Sequence, residues 1–273
     1  MNWFESLIYG VVSGFTAFLP ISSDAHHMIL LKLFGVDTPD PIRNILIYIA
    51  VVISIFTGCR TYLDQLQRER KTRYPRGSRT KPRLLADYRL VRTAAIPMLL
   101  GILLISFVVR SSCNLLLTAL FLVINAVVLF IPERMMQGNK DARMMASLDG
   151  LLIGSAAGLS ALPGISCVGM VTSVSVMRGA DRQNALNWAF LLCIPAYIVL
   201  IGIELVLAFS GIGLVAFWPN LLGYLLGAVG ACISGYFAIV FMKFLTVRTG
   251  YSGFAYYTIG AALFSFLLYL TVA

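Results

Sequence analysis

The chain has 273 residues, 59% of them hydrophobic and 12% charged, with a mean hydropathy of +0.87. That composition is too apolar for a water-soluble globular domain and reads as an all-α polytopic membrane protein. The formal net charge of +9 would suit nucleic acid, but the placement of the basic residues along the chain argues against such a partner.

In chain order, the first apolar stretch is broken at Pro20, Ser22 and Ser23. It lacks the basic leader of a secretory signal, so no cleavable signal peptide is expected. Apolar runs follow at 44–59, 94–109 and 114–131, then a second broken stretch around Pro163, then runs at 184–209, 220–245 and 256–272. Each unbroken run approaches the roughly 20 residues that a helix needs to span a bilayer, which predicts six spans. The broken stretches, about 3–35 and about 147–177, are each cut into pieces too short to cross alone. They are expected to be re-entrant helical hairpins, a form stable at membrane depth only when the open backbone is buried in protein or lines a wet cavity.

Of the 21 Lys and Arg residues, 18 lie in four alternate loops: 60–93, 134–143, 178–182 and 243–248. Lys32, Arg43 and Arg110 fall on the other side. The positive-inside rule places the four basic loops in the cytoplasm and both termini outside. The loop 60–93 is expected to touch anionic lipid. Cys59, Cys113, Cys167, Cys193 and Cys232 are scattered and odd in number, which suggests neither a disulfide framework nor a metal site.

Gly10, Gly14, Ala17, Pro20 and Ser23 are echoed by Gly154, Gly158, Ala161, Pro163 and Ser166. A broken hairpin plus three spans occurs twice, giving halves 1–143 and 144–273. An odd number of spans between the hairpins makes the halves an inverted-topology repeat, an arrangement that places ligands near the membrane midplane.

Helix breaks gather unpaired N–H groups and the positive end of a helix dipole, which makes an anion cradle. Ser22, Ser23 and Asp24 precede one helix, with His26 and His27 in its first turn; Gly164, Ser166 and Gly169 open another, which continues through Thr172. Ser22, Ser23 and Asp24 equally suit plain N-caps. His27 reads as a packed or interfacial histidine, Asp149 as a cap near the cytoplasmic surface, and Glu204 as a residue near a span end. The last two are left outside the site.

The run Gly14-Phe15-Thr16, followed by Phe18-Leu19-Pro20-Ile21-Ser22-Ser23 and His26, resembles the first signature of the undecaprenyl-diphosphate phosphatase family, the bacitracin-resistance type. Pro163, Gly164, Ser166 and Gly169 resemble the second, and the likeness continues through 182–195. The resemblance implies removal of a phosphate from a polyprenyl diphosphate carrier lipid at the outer face of a bacterial plasma membrane. That reaction recycles the carrier for cell-wall synthesis, and a divalent cation, Mg2+ or Ca2+, supports it.

Carried over by position, the resemblance implies Ser23, His26 and Ser166 as catalytic residues, with Ser22, Asp24, Gly164, Gly169 and Thr172 around the substrate. The chain departs from the family pattern at six positions. Ser13 and Ala17 replace two glutamates, Cys167 an arginine, Val168 a serine, Val171 a threonine and Asn187 a glutamate. The cation's expected carboxylates are therefore absent. Phosphoryl transfer relies on positive charge to stabilise its transition state, so two functions stay open: a divergent phosphatase, or a non-catalytic polyprenyl-phosphate binder or flippase on the same scaffold. A homo-oligomer is also open.

Overall fold

The computed structural model describes residues 1–36, 40–71, 83–109, 114–136, 138–210 and 217–272. Most of the basic loop's Lys and Arg residues after Lys71, together with Arg110 and Cys113, lie outside the described residues. Every major element is a helix: α1 (Trp3–Ala17), α2 (Ser23–Leu33), α3 (Pro41–Gly58), α4 (Arg60–Lys71), α5 (Arg83–Val109), α6 (Leu115–Phe130), α7 (Ser147–Gly158), α8 (Cys167–Met177), α9 (Arg182–Ser210), α10 (Phe217–Arg248) and α11 (Ser252–Val272). Six of them, α3, α5, α6, α9, α10 and α11, are long and apolar enough to cross a membrane. The protein is a multi-pass membrane protein.

Local chemistry sets the helix starts. Asn2 and Glu5 close a reciprocal capping box on α1, and Asp40 caps α3 just ahead of Pro41. Asn114 caps α6, and Ser166 caps α8. Each cap satisfies a first-turn N–H that has no partner within its helix. At the start of α7, Asp149 accepts from the Ala146 N–H at 2.8 Å and pairs with Arg178 at 2.6 Å.

The expected loop 60–93 departs from the sequence reading, and its residues 83–93 open α5. Residues 60–71, expected as loop, form α4. Its Leu63 packs on the core, and the Tyr62 hydroxyl donates to buried Asp87 at 2.9 Å. Asp87 also receives the Trp188 indole N–H at 2.8 Å. The amphipathic pattern of α4 is short and highly charged, so it is outweighed in a linear reading by its basic residues.

The helix pairing has an internal correspondence. α1 lies along α10, and α7 lies along α5; α3 meets α10, and α9 meets α5; α6 pairs with α11, and α3 with α9. The close approaches use the small residues of the sequence echo. A Cβ at Gly10 or Gly14 would collide with the α10 backbone at Gly227 or Ala231, and one at Gly154 with the α5 backbone at Ala94. At Gly158 it would come 3.1 Å from the Gly101 Cα. Without a hydrophobic driving force between helices in lipid, such contact surfaces gain stability from close packing.

Candidate functional site

The two broken segments meet. Residues 18–22 join α1 to α2, and residues 162–166 lie between a 3-10 turn, Leu159–Ala161, that follows α7 and the start of α8. Asn125, in the middle of α6, bridges them: its Nδ2 donates to the Pro20 carbonyl at 3.0 Å, and its Oδ1 accepts from the Ser166 N–H at 2.9 Å. The Ser166 hydroxyl donates to the Leu19 carbonyl at 3.1 Å and accepts from the Gly169 N–H at 3.1 Å. The Ser22 hydroxyl accepts from Gly164 N–H at 3.0 Å and from Ala25 N–H at 3.4 Å.

Two backbone positions carry this junction. Gly164 has φ +122°, and a Cβ there would lie 2.6 Å from the Phe121 Cβ on α6. Ser22 has φ +64° and is the one non-glycine with positive φ among the described residues. A left-handed conformation at a residue bearing a Cβ costs roughly 1–2 kcal/mol. Its two accepted hydrogen bonds hold it there, and such strain gathers at functional sites.

Beside the junction is a cavity of about 50 Å3, lined in part by Ala17, Ser23, Asp24, Ser166, Cys167 and Tyr197. The N-terminal turns of both α2 and α8 face it. Ser23 Oγ lies 3.2 Å from His27 Nε2 and 3.3 Å from Thr16 Oγ1. The other ring nitrogen of His27, Nδ1, lies 3.8 Å from Asp24 Oδ1. Its ring stacks on Tyr9 at 4.9 Å. Asp24, 40% exposed on its side chain, carries the only carboxylate among the described residues that line the cavity, and none of them is a lysine or arginine.

His26 points elsewhere. Its Nδ1 donates to the Ser22 carbonyl at 2.7 Å, so its Nε2 accepts from the Tyr257 hydroxyl of α11 at 2.8 Å. Ser23, Asp24, Ser166, Cys167 and Ala17 therefore share the cavity, while Ser22, Gly164 and Gly169 belong to the bonds that fasten the two breaks. The Thr172 hydroxyl donates within α8 to the Val168 carbonyl at 2.7 Å, and Val168 and Val171 are buried. The Ser13 hydroxyl donates to the Tyr9 carbonyl at 2.6 Å, and Asn187 is half-buried on α9.

The sequence reading missed His27, Thr16 and Asn125 as site residues. His27 is four residues from Ser23, the spacing that stacks side chains on one helix face. Asn125 was signalled as an amide amid an otherwise apolar span. Glu204, set aside as a span-end residue, is buried in a second polar group: Asn44 Nδ2 donates to Glu204 Oε1 at 3.2 Å, the Tyr9 hydroxyl reaches Asn44 Oδ1 at 3.5 Å, and Arg43 lies over the Tyr9 ring at 5.5 Å.

A divalent cation does not fit these residues. Hard cations want several oxygen ligands, carboxylates above all. Ala17 offers none, the Ser13 hydroxyl is engaged with its own helix, and no cluster of three His, Cys, Asp or Glu occurs among the described residues.

Comparison with known proteins extends these observations to nearly the whole chain. Proteins named undecaprenyl-diphosphatase are similar to it: one from Carboxydothermus hydrogenoformans is 29% identical over 94% of this chain and 94% of its own. One from Mycobacterium sp. (strain KMS) is 30% identical, covering 95% and 94%, and one from Methanobrevibacter smithii is 28% identical, covering 94% of each. With residues 6–264 matched to the family described as bacitracin resistance protein BacA, and with both broken segments brought to one junction, the chain belongs to the BacA family.

Proposed function

We propose that this protein is a membrane phosphatase that removes the terminal phosphate of undecaprenyl diphosphate or a similar polyprenyl diphosphate. The observation that carries the reading is the Ser23–His27 pair at 3.2 Å, set at a cavity faced by two helix N-termini in a chain whose relatives are named for that activity. With the His27 proton on Nδ1, toward Asp24, Nε2 accepts the Ser23 hydroxyl proton as Oγ attacks the terminal phosphorus. The lipid monophosphate departs with the proton returned from Nε2; the neutral imidazole then deprotonates the water that attacks the phosphorus on Ser23, and gives that proton back to Ser23 Oγ as phosphate leaves. First-turn N–H groups of α2 and α8 offer partial positive charge to the phosphoryl oxygens. Ser166 and His26 act in this reading by position: Ser166 pins the Leu19 carbonyl, and His26 fixes the Ser22 carbonyl against α11.

A second reading, a polyprenyl-phosphate binder or flippase without turnover, is favoured by one observation, the lack of lysine and arginine among the described residues that line the cavity. Phosphate release from undecaprenyl diphosphate by the purified protein, with and without Mg2+ or Ca2+, separates the two. Release that falls about 10²-fold or more in Ser23→Ala and in His27→Ala supports the phosphatase, in line with the usual worth of a positioned base. Lipid binding with no release above those variants establishes the binder.

We further infer that 1–143 and 144–273 are inverted repeats with α1–α2 and α7–α8 as re-entrant hairpins. The reciprocal pairing of α1 with α10 and α7 with α5, each across an echoed glycine pair, supports this. The basic loops face the cytoplasm and bear on anionic lipid, and both termini lie outside, as the Lys and Arg distribution supports.

A further inference from the structure

Cys59, Cys167, Cys193 and Cys232 are free thiols. Two of them line the cavity together. Cys167 is the first residue of α8 and is partly exposed; Cys193, one helix away on α9, is buried at 1% exposure. Ser160 shares the lining of that cavity of about 50 Å3 with both thiols, and α8 packs directly against α9. Cys59, by contrast, lies at the end of α3 with Lys243 as its neighbour.

We propose that Cys167 and Cys193 form an oxidative modification site, closed to a disulfide by a small disulfide reagent or metabolite, RSSR. The accessible Cys167 thiolate attacks RSSR, forming a mixed disulfide and expelling RS−, which takes up the proton that Cys167 gave up. The buried Cys193 thiol then attacks Cys167 Sγ and expels the second R group as RSH. Two thiols are oxidised by two electrons in all, one RSSR is reduced to two RSH, and a thiol held beside the mixed disulfide makes the second step intramolecular. The product ties the first turn of α8 to α9 at the wall of the cavity, next to the Ser166 cap.

The test is independent of phosphatase activity. Purified protein in detergent is treated with 4,4′-dithiodipyridine, and thiopyridone release and intact mass are read together with peptide mapping. The expected result is two thiopyridones released beyond those of a Cys167→Ser/Cys193→Ser double variant, with a Cys167–Cys193 cross-linked peptide that dithiothreitol dissolves. In Cys193→Ser the expected product is a stable pyridyl adduct on Cys167. A persistent pyridyl adduct on Cys167 of the unsubstituted protein, or no reaction at either cysteine, overturns the proposal; both outcomes are readable without any variant.

Discussion

Asn125 does at one position what neither broken segment does alone. Its two ends satisfy a carbonyl from one break and an N–H from the other, and both of those groups are out of reach of water. Leaving a buried polar group unpaired costs about 1–3 kcal/mol, so Asn125→Ala should lower stability by roughly 2–5 kcal/mol, seen as a marked fall in the thermal midpoint in detergent. Asn125→Asp keeps the acceptor and loses the donor to Pro20, and buries a carboxyl as well. It should also destabilise, and an unchanged midpoint in both variants would remove Asn125 from its bridging role. The two neighbouring histidines are separable by the same logic. His27→Ala should abolish phosphate release, while His26→Phe, which keeps a ring against Tyr257 but not the bond to the Ser22 carbonyl, should reduce it less. A larger loss at His26 would reverse the assignment.

At the scale of elements, the glycines of α1 and α7 act as contact surfaces rather than as flexible joints. Gly10 meets the backbone of Gly227, and Gly154 that of Ala94, so an added methyl has no side chain to displace. Gly10→Ala and Gly154→Ala should each cost about 1–3 kcal/mol through forced separation of the helices. Gly260 on α11 has open space where its Cβ would stand, and Gly260→Ala should be neutral or stabilising by up to about 1 kcal/mol through helix propensity. Thermal unfolding of the three variants in one detergent checks the contrast. Equal effects at Gly10 and Gly154 would match their corresponding places in the pairing of α1 with α10 and of α7 with α5.

For the whole molecule, the basic loops make orientation testable. Single cysteines placed at Arg143 or Gln183 should resist a membrane-impermeant maleimide applied to intact cells and react after lysis. Cysteines placed at Asn2 or Lys32 should react from outside. The reverse pattern would invert the topology, and labelling of both sets from one side would remove the odd number of spans between the two broken segments. The same orientation would place the Asp149–Arg178 pair and α4 toward the cytoplasm.

By itself the sequence determined the membrane class, the six spans, the two breaks and their family. All of these follow from local signals: unbroken apolar length, Pro and Ser interrupting it, and short motifs whose spacing is carried along the chain. The echo of Gly10 and Gly14 in Gly154 and Gly158 was legible too, though not which helices those residues would touch. Only the tertiary structure decided which histidine faces Ser23, because adjacent residues on a helix point about 100° apart and the motif names the position of His26 while the helix turns His27 toward Ser23. Only it brought Asn125 and Glu204 into polar groups with residues 41 to 160 positions away, and set Cys193 on the cavity that Cys167 lines. Pairings across that distance are fixed by how α6 and α9 pack against neighbouring helices, a matter of side-chain volume and close backbone approach that no local spacing encodes.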